Sequence, residues 1–355
     1  LASHFASVNN VHEKFAAGAF APAILNMSFI LSLFFLTPFV PSTGHALSYG
    51  VLIGGIFQFL FLYTSVLKLY RPRIRIPIYD KKLKKFFQLF LPGIIGSGVI
   101  QLNIVIGTII ASFLPSGAIS HIYYADRLNQ LPLAIFGIAI GIVLLPSLSK
   151  AIKQSDQSII DNIQNRSIEF SLLISIPSAI GLFILAEPII YILFERGAFL
   201  KEDTYYTAKV LGFFSLGLPA YIIIKVLVSC FFARQDTKTP LYISILSVVS
   251  NIILSLILIQ TMREMGIALA TAISAWINAL LLYFFLLKRN NIKLDNLIIT
   301  NTLKILICSF ILVLTTHFIK GFLFLDLTSV SLLLNSLFLI LLIILSIFIY
   351  LSLVI

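Results

Sequence analysis

The chain has 355 residues, is 59% hydrophobic and only 11% charged, and carries a formal net charge of +11. With a mean hydropathy of +1.05 it holds more apolar side chain than a soluble domain can bury, which excludes that class and requires a multi-span membrane protein. Continuous apolar runs such as 332–355 lack the alternation of lipid-facing and lumen-facing residues that a transmembrane β-barrel needs, so the spans are helices.

Taken in order, residues 1–10 read as the last half of a span, so further sequence is expected upstream of Leu1. Complete spans are expected at 19–40, 46–69, 86–114, 118–148, 167–186, 207–231, 240–261, 265–287, 302–319 and 330–355. The fold class is thus an all-α polytopic membrane protein with about ten complete transmembrane helices and a partial one. Gly50/Gly54 and Gly137/Gly141 have the G-x-x-x-G spacing of close helix contacts, and Pro92-Gly93 should bend the third complete span. The polar stretch 71–85, with Pro72 and Pro77, reads as a basic linker on the membrane surface. In 149–170 the spacing of Ile152, Ile159, Ile160 and Ile163 predicts an amphipathic helix lying in the interface. At the 237–240 turn Thr239 is placed to cap the next helix, with Pro240 in its first turn.

The basic excess is an orientation signal. Alternate connections place Lys14, Arg71, Arg73, Arg75, Lys81, Lys82, Lys84, Lys85, Lys150, Lys153, Arg166, Arg234, Lys238, Lys288, Arg289 and Lys293 on one side. The other side holds only Arg196, Lys201, Arg263 and Lys320. Sixteen against four reads as cytoplasm against exterior, and removes any need for a nucleic-acid partner.

Arg127 stands out because 119–148 contains no other charge except Asp126. A guanidinium at mid-membrane costs about 2.5–3.5 kcal/mol or more, so it should face a bundle interior or a wet cavity. At ~100° per residue, Ser116, Ser120, Tyr123, Tyr124 and Gln130 fall within ~60° of it. On the preceding span Ser97, Gln101, Thr108 and Ser112 form a second stripe. The two stripes either line one cavity suited to an anion or simply bond neighbouring helices. Lys225 either snorkels to the interface or joins that cavity. Asp126 points ~100° away from Arg127 and is expected to hydrogen-bond another helix.

Enzyme chemistry finds little support. No paired intramembrane carboxylates occur, and Glu195, Glu202 and Asp203 have no His or Cys nearby in sequence. The five histidines show no ligand spacing, so no metal or cofactor is expected. Cys230 and Cys308 fall inside spans as small packing residues. No P-loop pattern is present. A secondary transporter or flippase with a cationic internal site remains.

Five segments resemble one family. They are Ala19-Phe20-Ala21-Pro22-Ala23-Ile24-Leu25-Asn26, Tyr123-Tyr124-Ala125-Asp126-Arg127-Leu128, Gly141-Ile142-Val143-Leu144-Leu145-Pro146-Ser147-Leu148-Ser149, Phe194-Glu195-Arg196-Gly197-Ala198-Phe199 and Asp236-Thr237-Lys238-Thr239-Pro240. In order and spacing they are similar to the bacterial lipid II flippases, the MurJ (formerly MviN) family of the MOP exporter superfamily. The resemblance implies a fourteen-helix inner-membrane protein with two six-helix lobes around a V-shaped cavity and two extra helices. On that map 1–70 is the remainder of the first lobe and 71–85 the cytoplasmic inter-lobe linker. Residues 86–287 are then the second lobe, and 302–355 the pair that helps form a groove for a lipid tail.

By the same resemblance the substrate is lipid II, an undecaprenyl-pyrophosphate-linked disaccharide-pentapeptide, moved to the periplasmic leaflet for peptidoglycan synthesis. Arg127 corresponds to a family cavity arginine and Ser120 to a family cavity position, whereas Gln130 stands where the family often has a carboxylate. The expected partners are lipid II, membrane lipids and cell-wall synthesis enzymes, with the protein a monomer. Two alternatives are an exporter of another polyprenyl-linked glycan and a non-transporting scaffold for cell-wall enzymes. A drug exporter would place an acid, not Arg127, in its cavity.

Overall fold

Helix is the only regular structure among the described residues, as expected where no water is present to satisfy an open backbone. The computed structural model describes residues 2–12, 14–67, 69, 81–323 and 331–354. It divides into two units, Leu1–Tyr79 and Asp80–Ile355. Most of the expected 71–85 linker lies outside the described residues, and 81–85 form the start of a helix.

The first unit holds α1 (Ala2–Val11), α2 (Phe15–Leu36) and α3 (Thr43–Leu67). Helices α2 and α3 meet at the expected glycine pair. A Cβ on Gly54 would lie 2.8 Å from Leu25 Cδ1, and Ser28 Oγ donates to the Gly50 carbonyl at 2.8 Å. Helix α1 is fastened to α3 by Asn9 Nδ2 donating to Ser65 Oγ at 2.7 Å, with Phe5 between Phe59 and Tyr63.

The second unit comprises α4 (Lys81–Ala111), α5 (Ala118–Pro132), a π-helical stretch at Leu133–Ile138, α6 (Ala139–Gln154), α7 (Gln157–Ile184), α8 (Ala186–Phe194), α9 (Lys201–Ser215), α10 (Leu218–Ala233), α11 (Lys238–Met262), α12 (Glu264–Lys288), α13 (Asn296–Leu323) and α14 (Leu332–Val354). Across both units, nine stretches among the described residues are long and apolar enough to cross a membrane, and each overlaps an expected span. The remaining expected span, 86–114, falls on α4, which is continuous through Pro92-Gly93.

The α9–α10 stretch is the most buried of the nine and lies at the centre. The expected single span 207–231 is in fact two helices joined at Gly217, where a Cβ would come within 2.9 Å of Ala272 Cα, and Pro219 opens the second helix. Leu227 and Phe231 of α10 join Leu282 and Leu286 of α12 and Leu144 and Leu148 of α6 in the largest apolar core. Helices α13 and α14 pack on α7 and α8, with Tyr350 Oη donating to the Leu173 carbonyl at 2.9 Å. Cys230 and Cys308 are free and buried, as packing residues should be.

Two local expectations are corrected. Residues 149–170 do not form one helix: the chain turns at Ser155 (φ 56°), and Asp156 caps a new helix by accepting from the amides of Ser158 and Ile159, both at 3.1 Å. The apolar spacing belonged to the facing ends of α6 and α7. Thr239 is not the cap of α11. Asp236 Oδ1 accepts from the amides of Lys238 (3.1 Å) and Thr239 (3.0 Å), because a carboxylate reaches both orphan donors at once.

Charge separates the ends of this unit. At one end Arg289 pairs with Asp236, Arg166 with Asp295 and Glu169, and Arg234 donates to the Asn291 carbonyl. The first turns of α5 and α9 and the α11–α12 turn meet at the other end. The 25 residues of α11 separate the two by about 37 Å, enough to cross a bilayer core.

Candidate functional site

Helix α5 follows a tight turn in which Gly117 takes φ 100°, a conformation that favours glycine. From there Ala118, His121, Ala125, Leu128 and Asn129 are buried. These positions recur at helical spacing and face α9 and α12. Their burial leaves Ser120, Tyr123 and Arg127 exposed on the opposite face, and Ser116, in the turn before the helix, is exposed as well.

On that face the Arg127 guanidinium lies 4.6 Å from the centroid of the Tyr123 ring. The ring supports the cation while leaving its donor edges free. No carboxylate lies within ion-pair distance of Arg127 among the described residues. Its neighbour Asp126 instead accepts a hydrogen bond from Gln130, one turn on along the same helix. The expectation that Asp126 bonds another helix is therefore corrected: an amide at i+4 reaches it first. Tyr124 turns toward Phe194 (4.7 Å between ring centres) and Phe199 (5.6 Å). Thus Ser120, Tyr123 and Arg127 share the open face, Tyr124 and Gln130 are half-buried and engaged beside it, and Ser116, expected on the same helical face, lies instead in the turn before Gly117.

Gln101 and Thr108 of α4, and Ser112 just past its end, are exposed. Thr108 and Ser112 donate to the carbonyls of Ile104 (2.9 Å) and Ile109 (2.7 Å), which leaves their lone pairs available. The side chain of Ser97 lies outside the described residues. Between α4 and α11, Asn251 Nδ2 donates to Asn103 Oδ1 at 3.0 Å. Lys225 is exposed on α10 beside Gly141 of α6, whose missing Cβ would sit 4.0 Å from its own. That contact is the second expected glycine pair at work, since Gly137 likewise faces Ile222 at 3.4 Å.

One cluster had no counterpart in the sequence expectations. His121 Nε2 lies 2.9 Å from Asp203 Oδ1, and Nδ1 lies 3.1 Å from Glu264 Oε1. Asp203, expected to lack a histidine neighbour, therefore has one, 82 residues away. The available signal was topological: each of the three lies in the first turn of a helix starting at the same end of the unit.

The family model for the lipid II flippase MurJ matches residues 1–351. The chain belongs to the MurJ family. It is 40% identical to a probable lipid II flippase MurJ of Rhizobium tropici over 306 residues, 85% of this chain and 57% of the relative. It is 38% identical to one of Rickettsia prowazekii (strain Madrid E) over 323 residues, 89% of this chain and 63% of that one. The chain spans about three fifths of the length of these MurJ relatives. A solved structure of a lipid II flippase MurJ in an inward closed conformation matches with a TM-score of 0.72 at 29% identity, over 96% of this chain and 69% of the other. An inward-facing MATE transporter of the MOP superfamily shares the fold, with a TM-score of 0.65 at 12% identity over 80% of this chain and 66% of that one. The expected MOP-type helical architecture is thus found.

Proposed function

We propose that this protein moves lipid II across the bacterial inner membrane, from the cytoplasmic to the periplasmic leaflet, by alternating access. Arg127 carries the proposal: a guanidinium in a stretch, 119–148, whose only other charge is Asp126, supported by the Tyr123 ring and without a carboxylate partner within ion-pair distance among the described residues. A planar fork of N–H donors matches two pyrophosphate oxygens at once. Ser116, Ser120 and, on α4, Gln101 and Thr108 supply hydroxyls and an amide suited to sugar and peptide groups. Tyr124 and Gln130 hold the flanks of this face, and Lys225 adds a second exposed cation beside α6. We carry to this chain the activity for which its relatives are named, and with it the cytoplasmic placement of the 71–85 linker and of the Asp236–Arg289 corner. A membrane potential would act on such a cationic site with ~2.3 kcal/mol per charge per 100 mV. Residues 86–287 are the lobe that carries this face, and 302–355 the helices that accompany the lipid tail.

The test is lipid II exposure at the periplasmic face, normalised to folded protein, in cells that depend on this gene. Arg127→Lys keeps the charge but loses the fork and should be impaired; Arg127→Ala should be worse, at unchanged abundance. Wild-type exposure per molecule in Arg127→Ala would sink the binding role.

A further inference from the structure

The His121 cluster has no part in the lipid face, yet it is built into the same helix. His121 is buried on α5, six residues before Arg127. Each ring nitrogen faces a carboxylate oxygen, Nε2 toward Asp203 of α9 and Nδ1 toward Glu264 of α12. A neutral imidazole has one N–H and one lone pair, so it can donate to only one of them and would turn a lone pair on the other. An imidazolium donates to both. The geometry therefore calls for one proton more than a neutral histidine and two carboxylates contain.

Charge counting supports this. Glu264 is fully buried, and its second oxygen has no hydrogen-bond partner; the nearest cation is Arg263 Nε at 3.6 Å. Arg263 in turn donates to Tyr206 Oη at 3.2 Å, and the Tyr206 ring stacks on His121 with 5.7 Å between centres. With the imidazole protonated, His121, Arg263, Asp203 and Glu264 sum to zero; without that proton they leave one net negative charge, and the fully buried Glu264 loses its buried cationic neighbour. Helices α4 and α7, which also touch α5, bring no titratable side chain to this end. Glu195 is occupied by Thr204, which donates to it at 2.5 Å. The group is not arranged for a metal, because the two carboxylates lie on opposite edges of the ring and share no common point. Asp203, whose side chain is 30% exposed, connects the site to water at this end of the unit.

We propose that His121, Asp203 and Glu264 form a proton-binding site that latches the arginine-bearing helix α5 to α9 and α12. Proton loss leaves a lone pair against a carboxylate and takes the buried cation from beside the buried Glu264. Both weaken the hold of α9 and α12 on the first turns of α5.

The test uses the whole chain purified in detergent with 15N-labelled histidine, His121→Gln identifying the His121 signals among the five histidines. At pH 7.5 both ring nitrogens of His121 should carry protons, and Glu264→Gln should leave the ring neutral at that pH. Asp203→Asn, at the more exposed acid, carries the same expectation if Glu264→Gln does not fold. Amide hydrogen exchange across 118–127 should rise about tenfold when the ring deprotonates, and the pH dependence should vanish in His121→Gln. A neutral His121 at pH 7.5 in the unaltered protein overturns the site. Exchange in 118–127 that does not follow the ring's protonation overturns the latch. Neither readout depends on lipid transport, so this proposal and the flippase proposal fail separately.

Discussion

Removing the Asp236 carboxylate should destabilise the Arg289 corner in two separable steps. Its Oδ1 caps α11 through the amides of Lys238 and Thr239, while Oδ2 takes the Thr239 hydroxyl at 2.6 Å and Arg289 Nη1 at 2.5 Å. Loss of a capping side chain costs ~1 kcal/mol, within a range of about 0.5–2. The ion pair is half open to solvent, 44% exposed on the Arg289 side, so screening limits it to about 0.2–1 kcal/mol. Asp236→Asn keeps the capping oxygen and should cost about 0.5 kcal/mol, whereas Asp236→Ala should cost roughly 1.5–2.5. Burial pushes the Asp236 carboxyl up, but hydrogen bonds from Thr239 and the adjacent Arg289 outweigh it and hold it below the usual carboxylate range. Its stabilisation is therefore complete above the unfolded value of ~3.9 and is lost as pH falls through the lower folded value. Equilibrium unfolding of the detergent-solubilised protein at pH 7 and at progressively lower pH measures both effects. The gap between Asp236→Ala and the unaltered protein should narrow in acid by about the cost of Asp236→Asn, because a protonated carboxyl keeps the capping oxygen but loses the charge. Equal losses in Asn and Ala variants at pH 7 would refute the cap; a gap independent of pH would refute the charge.

Gly266→Ala should destabilise by about 1–3 kcal/mol, since its Cβ would lie 2.6 Å from the Leu258 backbone, which cannot rotate away; a mutant that unfolds with the parent shows that α11 and α12 can separate at no cost. The proposed topology, which rests on the charge asymmetry, puts Lys201 outside and Lys238 inside the cell. An impermeant reagent should accordingly label a cysteine at 201 in intact spheroplasts and spare one at 238, and the opposite pattern reverses the topology.

The spans were legible because membrane crossing demands about twenty apolar residues in a row, a local property. The exposed Arg127 face was legible for a similar reason: helical phase within α5 follows from spacing alone. What a helical wheel does not contain is the neighbour. Tyr124 lies close in angle to Arg127, yet Phe194 and Phe199 from a distant connection draw it aside. The His121 cluster brings together residues separated by 82 and 143 positions, which only the packing of α5, α9 and α12 makes adjacent. Residues 149–170 misled because apolar spacing is indifferent to a turn that interrupts it, and Ser155 with Asp156 supplied that turn.

The π-helical stretch at Leu133–Ile138 divides one membrane crossing into two phases. Each such turn holds an extra residue, so the side chains of α6 are rotated by roughly 100° from where α5 alone would aim them. The crossing works like a screw whose thread has been cut once and restarted out of phase. The half before the π-helical stretch turns Arg127 to the open face, while the stretch itself and the half after it turn Gly137 and Gly141 onto α10. Within this crossing, chain length is therefore as much a part of the information as residue identity: a single deletion would swing every α6 side chain off its seat while leaving each motif intact.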